Sequence, residues 1–244
     1  MLRRSFIKKT TAGSLALASF PLIPISQEKE YSIVELMGKT DIKLYGEGIN
    51  LREEAHNAFV EMKRAAYSAG FDMKIVSSFR DYYRQEAIWE RKYIRYTEED
   101  GMKPIDAIDK IIEYSTIPGT SRHHWGTDID IIDGYPKSSG DVLVPEKFEE
   151  GGPFAPFKKW LDANSEKFGF HLVYTDSVIR RGFKYEPWHY SYAPISKPML
   201  TQFRSKNIFR LIQNETFEGS EHFTTGFLKN YIQDNILGVN PDLL

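Results

Sequence analysis

The chain has 244 residues and no cysteine. That absence excludes a disulfide framework, a thiolate metal site, a cysteine nucleophile and a lipidated-cysteine anchor. Charge of one sign is also lacking: 32 Lys and Arg stand against 34 Asp and Glu, a formal net charge of −2. Nothing in that balance favours nucleic acid as a partner. No internal repeat occurs at solenoid or propeller periods, and the HExxH helix of many metalloproteases is missing. Histidine is scarce, with six in the chain, so any imidazole chemistry draws on His56, His123, His124, His171, His189 and His222. What remains is an ordinary globular composition, 41% hydrophobic and 27% charged. It suits one domain of roughly 200 residues, with or without an appendage.

Residues 1–26 stand apart. Arg3, Arg4, Lys8 and Lys9 lead into a small and apolar run from Ala12 to Ile25. That run is too short to span a bilayer comfortably and is broken by Pro21 and Pro24. It reads as a secretory signal, with a basic amphipathic helix as the alternative. Arg3-Arg4-Ser5-Phe6-Ile7-Lys8 resembles the twin-arginine export motif, a receptor-read address rather than an anchor. The expectation is an exported protein of the periplasm or cell envelope, with no stable membrane anchor after cleavage near Ala18 or Ser26.

Beyond the signal, Leu51, Ala55, Phe59, Met62 and Ala66 recur at helical spacing and Gly70 supplies a stop, which predicts a helix over 51–69. A strand follows over 71–77, then a helix capped by Asp81 from Tyr82 to about Tyr96 and a shorter one from Pro104 to Tyr114. Residues 127–132 predict a strand with Asp128 and Asp130 on one face. Residues 134–153, rich in Gly, Pro and Ser, form a surface excursion. A helix over 154–168, a short strand over 170–174 and a strand over 185–192 come next, with Pro187 confining the last to an edge or bulge. The tail, 196–244, reads as helical and aromatic. Strands and helices mix without regular alternation, which favours an α+β domain with an antiparallel sheet. The expected division is a signal at 1–26, a catalytic domain at 27–195 and a helical C-terminal extension at 196–244 packed on the core.

Two segments can carry chemistry: Ser121-Arg122-His123-His124-Trp125-Gly126-Thr127-Asp128-Ile129-Asp130 and Glu186-Pro187-Trp188-His189. A catalytic zinc site needs three nitrogen or oxygen ligands and one open position. Histidine and aspartate from the first segment and histidine from the second supply that set, and Glu186 stands three residues from a ligand as a candidate general base. Gly126 lets the chain turn between His123 and Asp130, whose separation of seven has the wrong parity for one face of a straight strand. On spacing alone a structural His–carboxylate pair remains open, as do His124 in place of His123 and Asp128 in place of Asp130.

The pattern Ser-x-His-x-x-Gly-x-x-x-Asp over 121–130, followed much later by Glu-x-Trp-His over 186–189, resembles the VanY-type D-alanyl-D-alanine carboxypeptidases. These belong to the wider group of zinc peptidases with the lysostaphin and hedgehog-like fold. Glu35-Leu36-Met37-Gly38-Lys39 and Ser77-Ser78-Phe79-Arg80 with Gln85 resemble the same family, so the matching blocks run from about 31 to 192. The resemblance implies a small antiparallel sheet carrying one zinc ion, flanked by helices. It implies zinc on His123, Asp130 and His189, Glu186 as base, Arg80 stabilising the oxyanion, and Ser121 and Gln85 as hydrogen-bond donors to substrate. Asp128 stands where family members often carry alanine. The implied activity is hydrolysis of the terminal D-alanine from peptidoglycan stem peptides by a metal-activated water. Alternatives on the same fold are an L,D-carboxypeptidase, an endopeptidase, or an inactive wall-binding module.

Overall fold

The computed structural model describes residues 29–244. The expected export signal, its cleavage sites and the twin-arginine motif lie outside the described residues. Among those described, no helix is long and apolar enough to cross a membrane.

Among the described residues, eight α-helices surround one four-stranded sheet. In chain order the helices are α1 (Ile33–Leu36), α2 (Glu53–Ser68), α3 (Tyr82–Ile94), α4 (Pro104–Ile111), α5 (Ala155–Asn164), α6 (Ala193–Ser205), α7 (Ile208–Gln213) and α8 (Thr225–Tyr231). The strands are β1 (Met73–Ser77), β2 (Asp128–Asp133), β3 (Phe170–Leu172) and β4 (His189–Tyr192). They pair antiparallel throughout in the order β1-β2-β4-β3, the α+β architecture expected from the sequence.

The helix expected over 51–69 begins at Glu53, with Leu51 just before it in a bridge to Tyr45; Ala55, Phe59, Met62 and Ala66 of α2 form the packing face, and all four are buried with Leu51. That face meets Ile129, Ile131 and Tyr190 of the sheet and Phe157 and Leu161 of α5, forming one apolar core on one side of the sheet. A second core gathers Trp89, Ile108, Trp125, Met199, Phe203, Leu228 and Tyr231. The C-terminal helices therefore share a core with α3 and α4. The Tyr231 hydroxyl accepts from the Ile117 amide at 2.9 Å and contacts Thr120 Oγ1 at 2.8 Å, holding the turn that precedes Ser121.

Asp81 caps α3 as expected, its carboxylate accepting from the Arg84 amide at 2.7 Å. The strand expected over 185–192 is shorter and differently placed. It begins at His189, and it lies between β2 and β3 rather than at an edge. Proline has no amide to give a ladder, and the chain at Pro187 is in a turn instead: the His189 amide donates back to the Glu186 carbonyl at 3.1 Å. That turn delivers Glu186 to the sheet's polar face.

Candidate metal and catalytic centre

Strand register builds the centre. Asp130 is paired with His189 and Asp128 with Ser191 across β2 and β4. Side chains alternate along a strand, so these four stand on one face while Ile129 and Tyr190 enter the apolar core on the other.

His123 arrives from a separate element, the 3₁₀ turn Arg122–Trp125. Ser121 caps that turn through its hydroxyl, and Gly126 ends it at φ 66°, in the left-handed region where a side chain would be strained. The His123 Nδ1–H donates to the Ser78 carbonyl at 2.8 Å. This leaves Nε2 facing Asp130 Oδ2 at 3.4 Å. On His189, Nε2–H donates to Asp128 Oδ2 at 3.0 Å, while Nδ1 lies 2.9 Å from Glu186 Oε2 and 3.8 Å from Asp130 Oδ1.

Ligand atoms of His123, Asp130 and His189, all buried, lie within 4.8 Å of one another. Asp130 Oδ1 is buried with no hydrogen-bond partner among the described residues. A buried carboxylate oxygen left unpaired beside two aimed imidazole nitrogens is the donor set of a divalent transition metal, and its N, O, N composition suits zinc.

Asp128 is differently engaged. Its Oδ1 accepts from the hydroxyls of Thr127 at 2.8 Å and Ser191 at 2.6 Å, and its Oδ2 accepts from Arg122 Nε at 2.9 Å as well as from His189. With both oxygens occupied, it lies behind His189 rather than in the candidate group of His123, Asp130 and His189. The carboxylate–histidine contact fixes the ring and raises its basicity. Arg122, buried, also donates to Ser191 Oγ at 2.7 Å.

The electrostatics follow from burial and these partners. Burial pushes the Asp130 carboxyl up to about 7, the neighbouring Glu186 charge adding to it against the opposing pull of His189. Burial works the same way on Asp128, but the Arg122 guanidinium, the hydrogen bond from His189 and the His189 and His123 charges together outweigh it and hold that carboxyl well below the usual range. His123 is pushed well below its ordinary value, first by burial and then by the Arg80 and His189 charges, which favours the neutral ring a metal requires. Burial would also lower His189, yet its hydrogen bonds to Asp128 and Glu186 lift it to about 10. A metal held at Nδ1 would therefore displace a proton.

Arg80 lies in the loop between β1 and α3, and its amide donates to the His123 carbonyl at 3.2 Å. Its guanidinium donates to Gln85 Oε1 and to Ser77 Oγ. Gln85, expected to touch substrate, is fully buried, and its amide nitrogen donates to the Thr116 carbonyl at 2.8 Å. It is placed behind Arg80 and out of the cleft, because position 85 is on the inner side of α3. His124 is placed likewise: its Nδ1–H donates to the Arg80 carbonyl at 2.6 Å and its Nε2 accepts from the Gly119 amide at 3.2 Å, so neither nitrogen is available to a metal. Ser121 does line the cleft.

That cleft has a volume of about 430 Å³ and contains Arg80, His123, Asp130, Glu186 and His189. Tyr174 and Trp188 form part of its wall. Tyr174 packs edge-on against His189, with ring centroids 5.1 Å apart. Arg122, Ser191, Tyr174 and Lys92 were not among the sequence candidates. Ser191 was within reach, since two residues beyond His189 on a strand is the same face. Arg122 and Lys92 carried no periodic signal.

Known proteins resemble this chain in sequence and in fold. The family model described as VanY, D-alanyl-D-alanine carboxypeptidase, matches residues 48–195. A D-alanyl-D-alanine carboxypeptidase of Enterococcus faecalis is 29% identical over 152 residues, covering 62% of this chain and 50% of that protein. The putative carboxypeptidase YodJ of Bacillus subtilis is 30% identical over 145 residues, covering 58% and 46%. The chain thus spans about half the length of these curated carboxypeptidases. The solved structure of VanYB in complex with D-alanine-D-alanine superposes with a TM-score of 0.51 at 22% identity, covering 73% of this chain and 92% of that one. A related vancomycin-resistance D,D-pentapeptidase VanY was solved in complex with Zn(II), with a TM-score of 0.51 and 22% identity over 70% of this chain and 89% of that one. The match of the family model across more than half the chain settles its kinship: the chain belongs to the VanY D-alanyl-D-alanine carboxypeptidase family.

Proposed function

We propose that the protein is an exported zinc carboxypeptidase that removes the terminal D-alanine from peptidoglycan stem peptides. The observation that carries this reading is the convergence of His123, Asp130 and His189 on one point, with the orphaned Asp130 oxygen and the Glu186 carboxylate beside it. The Zn(II) complex of one structural relative and the D-alanine-D-alanine complex of another support the choice of metal and substrate class. Export rests on the basic and apolar segment at 1–26, including Arg3 and Arg4.

When bound, zinc supplies Lewis acidity at the scissile carbonyl and lowers the pKa of water. The other roles belong to side chains. His123, Asp130 and His189 would hold the metal, with the two imidazole rings oriented by Ser78 and Asp128. Glu186, buried at the cleft floor, takes the proton of the attacking water at Oε and returns it to the leaving amine. Arg80, clamped by Gln85 and Ser77, directs its guanidinium to the oxygen on which negative charge grows. Trp188 and Tyr174 exclude water from one wall, and Ser121 offers a hydroxyl to substrate.

Metal analysis of the purified full chain tests the foundation. One zinc per chain, lost in His189→Ala with the fold retained, is expected. A chain that takes up no divalent metal removes the reading.

A further inference from the structure

Lys92 lies on the cleft-facing side of α3, one helical turn beyond Ile88, and both line the cleft that holds Arg80 and the metal-binding residues. It is half-buried, and its Nζ donates to one partner among the described residues, the Ser115 hydroxyl at 2.6 Å. No carboxylate among those residues forms an ion pair with it; Glu186 and Asp141 act on it only through longer-range attraction. Burial holds the ammonium below its ordinary range, with the like charge of Arg80 adding to the effect.

An ammonium has three donors. One is engaged, which leaves two without a partner among the described residues, on a side chain that lines the cleft where the Arg80 cation also stands. A partly desolvated cation without an anion is costly, and a ligand carboxylate placed there relieves the cost. We infer that Lys92 and Ser115 form a carboxylate-binding subsite that anchors the peptide substrate beside the catalytic centre. The inference rests on the carboxypeptidase reading above. An exopeptidase must recognise a free C-terminus, so the terminal carboxylate is one source of the anion. A side-chain carboxylate on the stem, such as that of a diaminopimelate residue, is the other.

The test uses full-length, zinc-loaded Glu186→Gln protein, whose turnover is expected to be about 10² or more below wild type, alone and combined with Lys92→Met or Lys92→Arg. Calorimetry measures the binding of three stem peptides: one with lysine at the third position and a free C-terminus, its C-terminal amide, and a counterpart with diaminopimelate at the third position. The Lys92-bearing protein should prefer the acid to the amide, or diaminopimelate to lysine, by about 10-fold. Lys92→Met should abolish whichever preference is present, and Lys92→Arg should restore most of it. Loss of the acid-over-amide preference identifies the terminal carboxylate; loss of the diaminopimelate preference identifies the side chain. Preferences unchanged by Lys92→Met overturn the subsite, as does failure of all three peptides to bind. D-alanine release by the otherwise wild-type enzyme is followed alongside: release with a KM unaltered by Lys92→Met refutes the subsite alone, whereas no release refutes the carboxypeptidase reading.

Discussion

Asp128 supports His189 from behind. Its Oδ2 lies 3.0 Å from Nε2 of the imidazole, and the same oxygen accepts from Arg122 Nε at 2.9 Å, in a region closed to solvent. One carboxylate thus orients a candidate metal ligand and neutralises a buried guanidinium. Asp128→Ala should weaken zinc binding by about 10–100-fold, read by competition with a chelator. It should also destabilise the fold by about 3–5 kcal/mol, because the Arg122 charge is left unpaired. The double variant Asp128→Ala/Arg122→Met should recover much of that stability without recovering metal affinity. Full metal affinity in the double variant would show that Asp128 does not orient the ring.

Glu186 separates metal binding from proton transfer. Glu186→Gln keeps the shape of the side chain and removes the base. Zinc content should stay at the wild-type level while turnover falls by about 10² or more. Loss of zinc with normal turnover after reloading would make Glu186 a structural residue.

Arg80 and Gln85 form a pair whose members should fail differently. Arg80→Lys keeps the charge but loses the planar fork, so kcat and kcat/KM should fall together with KM little changed. Complete loss of one such donor is typically about 3–4 kcal/mol in activation free energy. Gln85→Leu removes the acceptor behind the guanidinium without touching the cleft, so it should lower kcat by a smaller factor. A rise in KM with kcat preserved in Gln85→Leu would place Gln85 on the substrate after all.

Gly38 tests the support of Arg80 from the opposite direction. Its φ is 71°, and a Cβ there would lie 2.6 Å from His124 Nδ1, the atom that bonds the Arg80 carbonyl. Gly38→Ala should lower the thermal midpoint by several degrees, as expected for a loss of about 1–3 kcal/mol from backbone strain and steric conflict. An unchanged midpoint would mean that His124 yields freely.

Much of this centre was legible in the sequence for a specific reason. Helical and strand periodicity located α2, β2 and Asp81 at the head of α3, because those elements bury one regular face each. The spacing of His123, Asp130, Glu186 and His189 marked the donor set because metal chemistry needs few residue types. Other relationships depended on tertiary placement. Gln85 was assigned to the substrate and lies behind Arg80, since a motif fixes which residues occur together and not which of them faces the cleft. Pro187 points to an edge strand or a bulge, whereas β4 begins just beyond it, at His189, as an interior strand. Arg122 bonds Asp128, six positions away, and Ser191, 69 positions away, a partnership set by the β2–β4 register that no local pattern encodes. Glu35, within a family-like block, proves to bond Arg52 at 2.6 Å, and Arg52 in turn donates to the Trp125 carbonyl at 2.6 Å. That block therefore braces the His123 turn, and its residues do not line the cleft.

The most direct measurement is product analysis by mass spectrometry after the zinc-loaded full chain meets a stem pentapeptide ending in D-alanyl-D-alanine and the corresponding tetrapeptide. The account predicts release of a single D-alanine from the pentapeptide, abolished by a chelator, restored by added zinc and absent in His123→Ala. Cleavage of the tetrapeptide instead would move the specificity to an L,D bond on the same machinery. No release from either peptide, or release indifferent to the chelator, would contradict the account at its centre.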